Sequence, residues 1–181
     1  MNLTLLIGTN ISLKNVNIDF VSEEDFIGYP DIGLYAINNV NIEDVVINNY
    51  LTSSDEPILY IYNYDLAYGS DTNNLTVNID NLTINNNGGK SEYGLVLDSV
   101  NEANINNLTV NNTEVGLYVH RDTYFDADSS VIVNNSNLLN TTCSSFNILD
   151  NENVLYPLPG AFINNKNYQL IFQDNNSLNC A

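Results

Sequence analysis

Along this chain apolar and polar side chains alternate in short runs. Leu34 and Ala36 are separated by Tyr35, and Leu82-Thr83-Ile84-Asn85 repeats the same in-and-out rhythm. A period of two marks a strand with one face buried. The β-branched residues Val, Ile and Thr dominate the runs, and Asn, Asp, Ser and Gly fill the gaps between them. Those gap residues suit corners, where left-handed backbone conformations occur. Pro30, Pro57, Pro157 and Pro159 also fall between runs. No segment carries a sustained helical period with caps, so helices are minor.

The runs recur in order. Gly33-Leu34-Tyr35-Ala36 returns as Ile58-Leu59-Tyr60-Ile61, Gly94-Leu95-Val96-Leu97 and Gly116-Leu117-Tyr118-Val119, with the leucines 25, 36 and 22 residues apart. A second row contains Asn39-Val40-Asn41-Ile42, Asn78-Ile79-Asp80-Asn81 and Val100-Asn101-Glu102-Ala103. A third contains Val46-Ile47-Asn48-Asn49, Leu82-Thr83-Ile84-Asn85-Asn86 and Leu108-Thr109-Val110-Asn111-Asn112. Ser12 to Ile18 supplies an earlier copy, and Val131-Ile132-Val133-Asn134-Asn135 a later copy of the third row. Three short strands per unit of roughly 22 residues describe one coil of a parallel solenoid. Coils stacked ~4.8 Å apart would align apolar columns inside and amide ladders at the corners. The extra length between Leu59 and Leu95 predicts a loop or an added coil. An antiparallel β-sandwich also explains the alternation, but it gives no reason for like residues to recur in step.

The Gly-Leu-Tyr, Asn-Val-Asn-Ile and Ile-Asn-Asn rows resemble the parallel β-helix repeat of the pectin-lyase-like superfamily. In their Asn-rich form they most resemble the adhesin-like surface proteins of methanogenic archaea. The resemblance implies an all-β, right-handed parallel β-helix of about six or seven coils over residues 1–142. Residues 143–181 depart from the repeat and are expected to form a C-terminal coil or capping segment of the same domain.

Composition sharpens the functional range. Asparagine accounts for 36 of the 181 residues, and 22 acidic against 4 basic residues give a formal net charge of −18. A surface of this sign repels phosphate backbones and anionic membranes, which argues against nucleic-acid and membrane-surface functions. No run reaches the roughly 20 apolar residues that span a bilayer. The N-terminus shows no charged region followed by a small-residue cleavage site; if the protein is exported, the sequence is expected to be a mature form or an excised domain.

Candidate chemistry is sparse. The sole histidine and sole arginine adjoin at His120-Arg121-Asp122. Asp122, Asp126 and Asp128 are candidate Ca²⁺ ligands, because carboxylate oxygens suit hard cations. Calcium is the one cofactor the sequence suggests. The competing reading is a solvated acidic loop. The Asn-Thr-Asp, Asp-Asp, Gly-His-Gly and Arg-Ile-Lys motifs of polygalacturonase-type relatives do not occur, so no catalytic residue is assigned. Inward Leu34, Leu59, Leu95 and Leu117 turn Tyr35, Tyr60 and Tyr118 outward, and Tyr62 two places further on. That tyrosine strip suits stacking on sugar rings or contacts with protein; its plainer role is coil-to-coil stabilisation. Cys143 and Cys180 are candidates for a disulfide in an oxidising compartment. Asn-x-Ser/Thr sequons stand at Asn2, Asn10, Asn74, Asn81, Asn107, Asn111, Asn134, Asn140 and Asn175, compatible with glycosylation of an exported protein.

These observations lead to an expected function: a non-enzymatic, extracellular, adhesin-like surface protein. It would serve as a structural element or bind a glycan or protein, with copies able to stack end to end into fibres. The alternatives are a divergent polysaccharide lyase or glycoside hydrolase, and a viral tail or fibre module.

Overall fold

The computed structural model describes residues 4–20, 30–50, 56–64, 74–88, 93–120, 129–141, 146–150, 153–155, 163–165, 168–172 and 177–180. Among them are fourteen strands and no α-helix. The first seven are β1 (Thr4–Phe20), β2 (Ile32–Asn49), β3 (Leu59–Asn63), β4 (Thr76–Asn86), β5 (Tyr93–Asp98), β6 (Glu102–Asn111) and β7 (Val115–His120). The remainder are β8 (Ser129–Asn134), β9 (Asn137–Thr141), β10 (Phe146–Asp150), β11 (Asn153–Leu155), β12 (Ile163–Asn165), β13 (Tyr168–Phe172) and β14 (Ser177–Cys180). They form one curled sheet whose neighbours run parallel, an arrangement that fits a parallel β-solenoid. Antiparallel pairs among the described residues are confined to β10–β11 and β12–β13.

Three columns of strands emerge from the registers. The first runs from Thr4–Gly8 through Ile32–Ala36, β3, β5 and β7 to β10. The second runs from Asn10–Lys14 through Asn39–Glu43, Thr76–Asp80, Glu102–Asn106 and β8 to β13. The third runs from Val16–Phe20 through Val45–Asn49, Leu82–Asn86, Leu108–Asn111 and β9 to β14. Repetition in the sequence has thus become translation along the stack.

A single residue makes the corner between the second and third columns. Asn15, Asp44, Asn81, Asn107 and Asn135 lie there one over another, with φ of 53°, 53°, 62°, 56° and 50°. This left-handed conformation costs most L-residues about 1–2 kcal/mol, and Asn and Asp tolerate it best. Side-chain amides then tie turn to turn. Asn81 Nδ2 donates to Asp44 Oδ1 at 2.6 Å, Asn106 Nδ2 to Asp80 Oδ1 at 2.8 Å, and Asn135 Nδ2 to Asn106 Oδ1 at 2.8 Å.

Inward positions form apolar files. Ile32, Leu59, Leu95 and Leu117 make one, and Ile42, Ile79, Ile105 and Val133 another, all essentially inaccessible to solvent. Each such side chain contributes about 1.5–3 kcal/mol by leaving water. One interior file is polar at its end: Asn49 Nδ2 donates to Asn86 Oδ1 at 3.3 Å, and Asn86 Nδ2 to the Asn112 carbonyl at 2.9 Å. Buried amides are tolerable there because they satisfy one another.

The registers revise three expectations. Ile32, not Leu34, lies against Leu59, and Leu34 pairs with Ile61. A slip of two residues keeps the same side chains facing inward, so alternation cannot detect it. Val131 and Val133 sit against Ala103 and Ile105 in the second column, while Asn137–Thr141 fill the third. Both rows are apolar alternations ending in asparagine, which made the assignment ambiguous. Leu59 pairs directly with Leu95, so the long spacing between them falls within one turn and does not add a coil between them. The departing segment after Cys143 still feeds the columns through β10, β13 and β14.

Candidate functional site

The outward positions of the first column carry the largest group of aromatic side chains among the described residues. One outward row reads Leu5, Gly33, Tyr60, Val96, Tyr118; the next reads Ile7, Tyr35, Tyr62, Asp98, His120. Gly33 leaves a gap into which the Tyr35 ring folds, since a Cβ at position 33 would lie 2.7 Å from Tyr35 Cε2. Tyr35 thereby reaches across rows. Its ring centroid is 6.0 Å from that of Tyr60, 5.6 Å from Tyr62 and 6.3 Å from Tyr64. Tyr60 and Tyr62 stack at 6.1 Å with 16° between planes. Offset and edge-on pairs of this kind add about 0.5–1.5 kcal/mol each beyond their buried area.

A carboxylate anchors the cluster. Tyr60 donates its hydroxyl proton to Asp98 Oδ2, and Ser99 Oγ donates to Asp98 Oδ1 at 2.8 Å. Burial, the Asp98 charge and this hydrogen bond together push the Tyr60 hydroxyl far above its ordinary pKa, so it stays a donor throughout the physiological range. Asp98 itself is buried. The result is a half-buried tyrosine platform fixed from below by a satisfied acid. Such a surface offers flat apolar faces bordered by hydroxyls.

Tyr118 does not join this group. It packs on Tyr93 at 4.8 Å, and Val96 and Asp98 separate the two clusters in the outward rows. The expected continuous strip is therefore two patches: Tyr35, Tyr60, Tyr62 and Tyr64 in one, Tyr93 and Tyr118 in the other. Tyr64, Tyr93 and Asp98 were missed from sequence, although Tyr64 continues the alternation of Tyr60 and Tyr62.

The other expected sites are unevenly placed. Asp122, Asp126 and Asp128, with Arg121, lie outside the described residues. Among the described residues no group of three or more His, Cys, Asp or Glu is arranged to hold a metal. Cys143 also lies outside them, while Cys180 pairs in register with Thr141, two positions before it. Of the sequons, Asn10, Asn74, Asn81 and Asn107 are exposed and Asn111 and Asn134 are half-buried. Asn140 lies on β9, and Asn2 and Asn175 fall outside the described residues. Asn10 and Asn74 serve as acceptors, from Asn39 and Asn101. Asn81 and Asn111 instead commit the nitrogen that a glycan would take, to Asp44 and Asn85.

Two features were not anticipated. An open cleft of about 370 Å³ runs over the second column between Asn41, Glu43, Asn78, Asp80, Asn104 and Asn106. Its amides already bond along the stack, Asn78 to Asn41 at 3.1 Å and Asn104 to Asn78 at 3.4 Å. Asp31, at the entry to β2, is buried, and its Oδ2 has no hydrogen-bond partner among the described residues. Burial, reinforced by the Glu56 charge, pushes its pKa up to about 7.

No protein-family model matches the chain, and no curated protein or solved structure matches it significantly.

Proposed function

We propose that this chain is a non-enzymatic surface protein, a right-handed parallel β-helix that displays a rigid aromatic face to a glycan or protein outside the cell. The observation that carries the reading is the platform of Tyr35, Tyr60 and Tyr62, locked through Tyr60 to Asp98. The resemblance to Asn-rich adhesin-like proteins supports the compartment, and the charge of −18 supports a partner that is neither nucleic acid nor an anionic membrane. Six strands in register from β1 to β10 in the first column support six turns. Parallel crossovers are right-handed in ~98% of cases, which supports the hand.

A lyase or hydrolase is the competing reading. Asp98 is the acid bonded to the aromatic platform, and its oxygens accept hydrogen bonds from Tyr60 and Ser99, which argues against its serving as a base. Glycan-array retention of the parent and of Tyr35→Ser/Tyr62→Ser, with melting temperatures of both, tests the reading. The double variant is expected to lose retention while still melting cooperatively. Unchanged retention, or release of unsaturated or reducing sugar by the parent, overturns it.

End-to-end association is part of the same proposal, but the two edges differ. Among the described residues β1 pairs only with β2, and Leu5, Leu6 and Ile7 beside that edge are 46%, 36% and 55% exposed. At the other end β11 and β12 run antiparallel along β10 and β13. The third column ends in β14, which among the described residues pairs only with β9, so one open and one partly covered edge favour a pair of copies over an unlimited fibre. Light scattering that shows long polymers at high concentration would refute this.

A further inference from the structure

We propose that Asn87–Gly88 is a site of spontaneous covalent modification, where the Asn87 side chain cyclises onto the Gly88 backbone nitrogen and loses its amide. Of the 36 asparagines, Asn87 is the one followed by glycine. Both residues are exposed and lie just past the end of β4. The reaction needs the next residue's backbone nitrogen to shed its proton and approach Cγ, and any side chain on that residue obstructs the approach. Gly88 has no side chain, and among the described residues nothing accepts its N–H.

Packing explains why the reactive pair is there. A Cβ at position 88 would lie 2.4 Å from the Tyr50 carbonyl oxygen, 2.5 Å from its carbon and 2.9 Å from its Cα. Backbone of the preceding turn cannot retreat that far, so close approach requires glycine. The glycine in turn leaves Asn87 open to attack.

The ladder asparagines are in the opposite situation. Asn48, Asn78, Asn85 and Asn106 sit in extended strands, and their Nδ2 atoms donate to the neighbouring turn at 2.7 to 3.1 Å. Fixed side chains and extended backbone hold the following nitrogen away from Cγ. Misplacement by about 1 Å costs such a reaction about 10²-fold. The ladder asparagines are thereby protected, and the lability is concentrated at Asn87–Gly88.

The step balances without an oxidant or a cofactor. A bond forms between Gly88 N and Asn87 Cγ, the Cγ–Nδ2 bond breaks, and ammonia departs with the proton given up by Gly88. Water then opens the succinimide at one carbonyl to leave aspartate, or at the other to leave isoaspartate with the main chain one methylene longer. Either product places a new carboxylate beside the Asn87 N–H, which donates to the Asn49 carbonyl at 2.7 Å. The isoaspartyl product also lengthens the backbone at that contact between turns.

The test is peptide mapping of the folded chain after incubation in mildly alkaline buffer, with isoaspartyl residues labelled by enzymatic methylation. The expected result is first-order amide loss at residue 87, about 10²-fold faster than at any ladder asparagine. Asn87→Gln, matched to the parent in melting temperature, is expected to remove that signal. Two results would overturn the proposal. One is an intact amide at Asn87 in the folded chain while the same residue converts in urea; the other is a ladder asparagine that converts first.

Discussion

The first turn and the middle of the stack carry nearly the same alternation, yet they bury it to different depths. In the middle, Ile42, Val45, Ile47, Leu82 and Ile84 have almost no accessible surface, because a turn covers them on each side. In the first turn Leu13, Val16 and Ile18 occupy the equivalent positions in register and are only partly buried. The chemistry of the residues is the same; what differs is the number of neighbours along the stack. In a solenoid, stability is shared between adjacent turns and falls off toward an uncovered one.

Core truncation would sharpen this contrast most. Leu82→Ala should cost about 2–5 kcal/mol in denaturant unfolding, since rigid turns on both sides cannot collapse into the cavity. Leu13→Ala should cost less than half as much. Equal losses would show that the first turn is as tightly enclosed as the rest.

Next in size is the acid at the entry to β2. Asp31 has its pKa raised from 3.8 to about 7, so the folded state binds its proton more tightly than the unfolded chain does. Its stabilising contribution is complete below pH 3.8 and is lost as pH rises toward about 7, for a total of up to about 4 kcal/mol. Asp31→Asn should flatten that part of the stability–pH curve and leave the parent the less stable of the two above neutrality. A parent whose stability rises through the same interval would contradict the assignment.

The smallest effect is expected at the corner. Asn81→Ala loses both a residue suited to φ of 62° and the bond to Asp44, and should cost about 1–3 kcal/mol. Asn15→Ala, at φ of 53° in the first turn, should cost about 1 kcal/mol. Thermal unfolding of the two variants side by side would reveal whether the ladder bond or the backbone conformation sets the difference.

Much of this architecture was readable from alternation and recurrence. That Tyr35, Tyr60 and Tyr62 face outward follows from a period of two. What alternation could not give was the register, because a shift of two residues conserves every inside and outside assignment. Tyr35 was consequently placed opposite Tyr60, whereas it lies opposite Tyr62. The corner residues were also hidden: asparagine is so common here that no individual Asn announces a left-handed backbone. Asp98 and Asp31 were missed for a different reason. Their surroundings come from other turns, Tyr60 for one and Glu56 for the other, and local sequence carries no trace of that.

The lone residue joining the second and third columns keeps a constant length through five turns, while the connections elsewhere do not. Asn63 and Thr76 bracket a long excursion, whereas Asp98 and Glu102 on the following turn are almost contiguous. Doubling such an excursion costs only about 0.6 kcal/mol in closure entropy. The protein thus has a spine that fixes its geometry and margins that accept new sequence cheaply. Foreign peptides grafted between β3 and β4 should be displayed without disturbing the coil beneath, and variation among natural descendants should gather along those margins.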